Sequence, residues 1–265
     1  MNPEQKKLSN LYSTFEENFS DKRYKSTNLV RSKVHSLMLQ SAVSLASNKG
    51  KIIDLGCGDG TASFLLANKG LEVVGVDISK NNIKAANLRL TAKMSSSLNF
   101  YIGDACKSEQ PAKFYDYAFS HHVLEHLLDL TAGITELKRI TKKKIIIAVP
   151  SPWSPLAWTL LGNGNYWSFS YGSLPKMVYG LVRTLKSWFC GRIGVDEGAY
   201  SSLENVPHVF YFPGRFKKKL ECSEWRVAKM QTQVLGLPWI LKTIRSTTKR
   251  NKKVGLGIIY ILERK

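Results

Sequence analysis

Residues 52–60 read IIDLGCGDG: an apolar run that closes on Asp54 and then places Gly56, Gly58 and Gly60 at every second position, with Asp59 inside the turn. Glycines at that density let a chain reverse tightly and bring its backbone against a ligand. A dinucleotide fingerprint would be spaced G-x-G-x-x-G, with a helix N-terminus facing a pyrophosphate, and a P-loop would carry Lys-Ser or Lys-Thr after its glycines. Neither pattern is present. Two carboxylates would repel a pyrophosphate; they suit a ligand with positive charge, such as an α-amino group or a sulfonium. Asp77 closes the next apolar run, VVGVDIS, where a carboxylate in a doubly wound sheet can accept both hydrogen bonds of a ribose diol. Gly103, Asp104 and Ala105 close a third run, where a carboxylate or backbone amide can meet the edge of a purine.

The elements that must position these residues alternate. Residues 28–48 read as a helix, KIIDL as a strand, and TASFLLANKG as a helix with Thr61 stabilising its start and Gly70 its stop. LEVVGVDIS is a second strand and Ser79 caps a helix to about Leu90; LNFYIGDA is a third strand; FYDYAFSHH is a fourth that enters a helical stretch at VLEHL. A helix over 132–141 leads into a fifth strand, KKIIIAVP. That rhythm predicts a parallel sheet covered on both faces, with its ligand crevice at the carboxyl ends of the strands. After Pro150 the rhythm breaks into a segment rich in tryptophan, tyrosine, glycine and proline, with short helices near 153–161 and 174–190. PGRFKKKLECS then reads as a helix, and EWRVAKMQTQVL and VGLGIIYILER as closing strands. The expected organisation is an N-terminal helical segment (1–50), a ligand-binding core (51–150), an insertion over the crevice (151–207) and a C-terminal part completing the sheet (208–265).

The 265 residues are 43% hydrophobic and 22% charged, ordinary for a globular protein. No apolar run approaches the ~20 residues that span a bilayer, and the N-terminus has no signal-type core, so the expected location is cytoplasmic. Cys57, Cys106, Cys190 and Cys222 lie too far apart for a zinc knuckle or a disulfide scaffold. The net charge is +19, and residues 151–265 hold 18 Lys and Arg against 6 Asp and Glu. A basic half implies an anionic partner, such as nucleic acid, an acidic lipid surface or a phosphorylated substrate, or else simple solubility.

Taken in order, the glycine loop, the acid after strand two, the GDA turn and FSHHVLEHL after strand four resemble the class I S-adenosylmethionine-dependent methyltransferases of small-molecule type. The resemblance covers roughly residues 30–150, and PHVFYFPGRFKKKLE is similar to a tail segment of many members. It implies an α/β fold, a Rossmann-like, doubly wound, mostly parallel seven-stranded sheet, to which the composition of residues 151–207 adds an aromatic-rich helical lid insertion. It also implies a division of labour. Gly56, Cys57, Gly58 and Gly60 would hold the amino-acid end of S-adenosyl-L-methionine, with Asp54 near its amino group. Asp77 and the adjoining Ile78 would bind the ribose, Asp104 and Ala105 the adenine, and Ser120 or His121 would lie beside the methionine moiety.

Methyl transfer to a hydroxyl also needs a general base, and His121, His122 and His208 are the candidates. On a helix His122 and His126 would share a face with Glu125, the geometry of a metal pair. Some quinone and RNA-end methyltransferases bind a metal there through Glu-x-x-Glu-His. The first position here is His122, so the expectation is no metal.

Residues 151–207, with Trp153, Trp158, Tyr166, Trp167, Phe169, Tyr171, Tyr179, Trp188, Phe189 and Tyr200, would form the lid and much of the acceptor pocket. LPKMVYGLVRTLKSWF fits a basic amphipathic helix at a membrane interface or on an amphiphilic substrate, and equally a core-facing helix with solvated lysines. The basic clusters Lys217–Lys219 and Lys242–Lys253 can meet lipid head groups or phosphates. The expected acceptor is small or lipid-linked, most readily methylated on oxygen, with peripheral contact to an anionic membrane. Nucleic acid ranks below it because no stacking module is present. An RNA methyltransferase and a non-catalytic scaffold of the same fold are the alternatives.

Overall fold

The computed structural model describes residues 24–92, 94–168, 170–197, 207–234 and 255–265. Helix α1 (Leu29–Val43) starts where the Asn28 side chain accepts from the Val30 and Arg31 amides, at 3.1 Å each. There follow β1 (Lys51–Leu55), α2 (Thr61–Asn68), β2 (Glu72–Asp77), α3 (Lys80–Leu88) and β3 (Leu98–Ile102). After them come β4 (Tyr115–His121), α4 (Leu130–Ile140) and β5 (Thr141–Pro150). The remainder is α5 (Pro155–Leu161), α6 (Ser173–Phe189), β6 (Gly194–Asp196), β7 (Val209–Tyr211), α7 (Pro213–Leu220), β8 (Trp225–Gln233) and β9 (Gly257–Arg264).

The main sheet has the order β3-β2-β1-β4-β5-β9-β8. Its first five strands are parallel, and β9 enters antiparallel between β5 and β8. Both faces are covered, which is why KIIDL and KKIIIAVP read as continuous apolar runs and not as alternating ones. Ile53, Ile145 and Ile147 point into a core with Leu137 and Ile140 of α4 and Phe216 and Leu220 of α7. Ile52 and Ile146 point the other way, against Leu39 of α1, Phe64 and Leu66 of α2 and Ile83 of α3. Order reverses between β1 and β4, so the crevice opens at the carboxyl ends of those two strands.

Two local expectations are corrected, and one element is added. Thr61 does not cap α2; Gly60 stands at the N-cap in the left-handed region, and the Thr61 hydroxyl donates to Asp59 Oδ1 at 2.8 Å. VLEHL is not an α-helical stretch: His122 sits at φ +58°, which breaks the chain before any turn can propagate, and only a 3-10 turn, Leu124–His126, follows. β6 and β7 pair as a separate two-stranded ribbon, and at three residues each they are too short to show in the sequence. Phe169, Tyr200 and Lys242–Lys253 lie outside the described residues, as does the start of the N-terminal segment (1–23).

Helices α5 and α6 cross at backbone contact. A Cβ added to Gly180 would lie 1.9 Å from the Trp158 carbonyl oxygen, and one on Gly162 would lie 1.7 Å from that of Lys176. Helix propensity alone would make Gly180→Ala stabilising by ~1 kcal/mol. The close approach predicts the opposite, a loss of about 1–3 kcal/mol from overpacking. Urea unfolding checks the sign; a gain would remove the contact as an explanation of why glycine stands there.

Candidate active site

The chain leaves β1 through Gly56, Cys57 and Gly58, whose first two amides donate to Val76 O at 2.7 and 3.0 Å. Gly56 has φ +82°, and a Cβ there would fall 2.3 Å from a Val123 methyl, so position 56 admits no other residue without rearrangement. Gly58 is different: nothing lies within 4 Å of the Cβ it lacks, so that side of the loop is open. Its amide donates to Asp77 Oδ2 at 2.9 Å, while Asp77 Oδ1 accepts from Ser79 N at 2.9 Å and Asn82 Nδ2 at 3.2 Å. Asp77 thereby ties the end of β2 to the glycine loop.

Asp54 is 1% exposed, and its Oδ2 accepts from Ser63 Oγ at 2.6 Å. Burial pushes its carboxyl up to about 7; the Ser63 hydrogen bond opposes this and the Asp77 charge adds to it. Burial first, and then the Asp77, Asp54 and Asp59 charges, hold the Cys57 thiol well above its ordinary range, so it is an inert packing thiol. The two loop acids are not equivalent. Asp59 is met by Arg89, whose Nη1 lies 3.6 Å from its carboxylate and donates to its carbonyl at 2.8 Å. Asp54 and Asp77 have no Lys or Arg partner among the described residues. The positive ligand inferred from the sequence is therefore left to Asp54 and Asp77, and not to Asp59.

Asp104 Oδ1 accepts from Cys106 N at 2.8 Å, which shapes the turn after β3 and leaves Ala105 half-buried against the core. Ile78 follows Asp77 and is also half-buried. Ser120 and His121 end β4; the Ser120 hydroxyl is buried and has no hydrogen-bond partner among the described residues. The His121 ring stacks on Phe119 at 6.1 Å and meets the His122 ring edge-on at 4.6 Å. The sheet thus carries Asp54, the glycine loop, Asp77, Asp104, Ser120 and His121 to the carboxyl ends of four adjacent parallel strands.

A second cluster lies beyond β4. His122 Nδ1 pairs with Glu125 Oε1 at 2.7 Å, and Glu125 is fully buried in the 3-10 turn. The His126 ring stacks on that of His208 at 4.8 Å, with 9° between planes. His126 Nδ1 donates to Pro207 O at 3.1 Å, and His208 Nδ1 pairs with Glu197 Oε2. Tyr211 Oη donates to Leu124 O at 3.0 Å and holds the turn. The helical face imagined for His122 and His126 does not exist. The ligand atoms that do converge, within 4.8 Å of one another, belong to Glu125, His126 and His208, and these three could hold a metal ion. Glu197 escaped the sequence reading. Its only signal is the acidic pair Asp196-Glu197, the first acids after Glu136.

A family model described as a methyltransferase domain matches residues 46–205, more than half the chain. The chain belongs to the methyltransferase-domain family. It is 30% identical over 115 residues to the ubiquinone biosynthesis O-methyltransferase of Rhodopseudomonas palustris, covering 42% of this chain and 44% of that protein. It is 30% identical over 99 residues to the magnesium-protoporphyrin O-methyltransferase of Rhodobacter capsulatus, covering 37% and 44%. The chain thus spans less than half the length of these curated relatives. Among solved structures, the magnesium protoporphyrin IX methyltransferase of Synechocystis, with bound SAH, superimposes with a TM-score of 0.60 at 16% identity over 98% of this chain and 99% of that one. That likeness is one of fold.

One observation fits a cationic cofactor: Asp54 is a buried carboxylate whose carboxyl burial pushes up to about 7, a shift that a positive charge beside it would reverse. The consequence for stability has a definite sign. A folded-state pKa above the unfolded value of 3.8 means that the folded protein binds the extra proton, so stability falls as pH rises toward 7. The ligand-free protein should lose on the order of 2–3 kcal/mol between pH 5 and pH 8 through this group. Asp54→Asn should flatten that slope. Equal slopes in urea unfolding of wild type and variant would show that Asp54 is ionised throughout.

Proposed function

We propose that the protein transfers the methyl group of S-adenosylmethionine to an oxygen of a small or lipid-like acceptor. The observation that carries this reading is the pairing of two carboxylates without a Lys or Arg partner among the described residues, the buried Asp54 and the half-buried Asp77, around a glycine loop open at Gly58. When bound, S-adenosylmethionine supplies a methyl group on a sulfonium. The chain's own residues bind and align. Gly56–Gly60 and Asp54 take the amino-acid end, Asp77 and Ile78 the ribose, Asp104 and Ala105 the adenine, and Ser120 and His121 border the methionine moiety. In-line displacement asks the protein chiefly for alignment in a site closed to water.

The oxygen acceptor is supported by the names of the curated relatives and by the imidazole cluster. The pairing of His208 Nδ1 with Glu197 orients the imidazole in the way a histidine that takes a proton from an acceptor hydroxyl is oriented. Calorimetric titration with S-adenosylmethionine and S-adenosylhomocysteine tests the cofactor. Incubation with labelled cofactor then tests the acceptor: label in the solvent-extractable fraction of quinols, catechols or membrane extract is expected. Label in RNA would replace this reading with the nucleic-acid one, and no binding by wild type would replace it with a scaffold.

A further inference from the structure

Helix α6 is turned inside out. The residues it buries are Ser173, Gly180, Thr184 and Ser187, small groups that let it lie on the α5 backbone. Its large apolar residues point outward: Leu174, Val178, Val182, Leu185 and Phe189 recur at spacings of four, four, three and four and are exposed, Val178 and Val182 by 54% and Phe189 by 82%. Tyr171, 93% exposed, prolongs the stripe beyond the first turn. Residues three and four apart share one face of a helix, so this is a continuous apolar ridge about 25 Å long. Soluble surfaces do not leave such ridges to water without a use.

Charge decides what covers the ridge. Lys186 borders the ridge, Lys176 and Arg183 lie toward the α5 side of the helix, and Arg215 of α7 stacks over Trp188 at the far end, 4.3 Å from the ring centre. No Asp or Glu occurs between Glu136 and Asp196. The chain as a whole carries +19. A second copy would bring the same basic rim and the same net charge against this face, which opposes pairing. An anionic bilayer surface offers the complement: head groups for Lys186 and for the net positive charge around it, and an acyl boundary for the valines and Phe189. No helix of the described residues is long and apolar enough to cross a membrane, so the geometry is that of a helix lying in the interface.

We propose that α6 is an interfacial helix that seats the protein on an anionic membrane. The helix is also wired to the candidate site. Arg183 donates to the carbonyls of Leu161, at 2.5 Å, and Asp196, at 2.7 Å, and the following Glu197 pairs with His208. Seating α6 therefore holds the imidazole cluster next to the membrane, where an amphiphilic acceptor resides. The inference rests on the preceding reading for its purpose, though not for its evidence.

Flotation of the full chain with phosphatidylcholine vesicles, with and without phosphatidylglycerol, tests it. Wild type should float with the anionic vesicles and far less with phosphatidylcholine alone. Val178→Asp/Val182→Asp should weaken that binding by about ten-fold or more. Lys186→Gln should weaken it by about five-fold, at ~1 kcal/mol for a lysine near the surface. Both variants should keep wild-type affinity for S-adenosylhomocysteine in solution, which shows that they fold. Wild type that stays in solution, or an aspartate variant that floats as wild type does, overturns the proposal. So does a wild-type dimer in light scattering that the aspartate variant dissolves, since a second copy would then cover the ridge. Vesicle binding without S-adenosylhomocysteine binding would sink the proposed function and leave this inference standing.

Discussion

His208→Ala is expected to lower kcat about 10²–10⁴-fold while leaving the affinity for S-adenosylmethionine unchanged. His208 is held on two sides: Glu197 fixes Nδ1, and the parallel ring of His126 fixes the imidazole plane. Rigid placement of this kind makes a base effective, since the proton must be taken at a defined point in the displacement. Glu197→Gln should preserve a hydrogen bond to Nδ1 but replace the carboxylate that orients the ring, giving a smaller fall in kcat, about ten-fold or more. Single-turnover rates with a phenolic acceptor separate chemistry from binding. Equal falls in kcat and in cofactor affinity would return His208 to a structural role. Activity lost to a chelator and restored by a divalent ion would instead make Glu125, His126 and His208 ligands.

The parts of this molecule that showed in the sequence are those whose causes are local. KIIDL and KKIIIAVP are apolar on both faces because the strands are buried on both faces, and Ser79 caps α3 because its hydroxyl accepts from Asn82 N three residues on. The loop acids and glycines were legible for the same reason. What stayed hidden depends on distance along the chain. Arg89 neutralises Asp59 from thirty residues away, and nothing in IIDLGCGDG reports it. His122 adopts a left-handed conformation that any periodicity argument misses, and that one residue turned an imagined helical face into a 3-10 turn. Glu197 meets His208 only because β6 and β7, too short to see, bring residues 197 and 208 side by side. The outward face of α6 needed the structure as well. The sequence shows an amphipathic helix and cannot say which face is packed; Gly180 against the Trp158 carbonyl answers that.

Asp77→Ala should weaken S-adenosylhomocysteine binding by about 10³-fold or more. Its carboxylate accepts from the Gly58 amide, the Ser79 amide and the Asn82 side chain, and hydrogen bonds to a charged group are worth ~1.5–3 kcal/mol each. Removal costs the ligand its ribose partner and also frees the Gly58 amide, so the loop loses the geometry that the amino-acid end requires. Burial raises the Asp77 carboxyl, and the Ser79, Gly58 and Asn82 hydrogen bonds oppose that rise, so the same donors that orient the group also favour its charged form. Asp77→Asn separates the two roles. It keeps one acceptor oxygen but turns a donor toward either Gly58 or Ser79, so affinity should fall between wild type and alanine while the fold persists. Calorimetry on all three proteins, with urea unfolding beside it, gives the decision. Alanine within five-fold of wild type would mean that Asp77 serves only to tie β2 to the loop, and the ribose acid would have to be sought elsewhere along the carboxyl edge of the sheet.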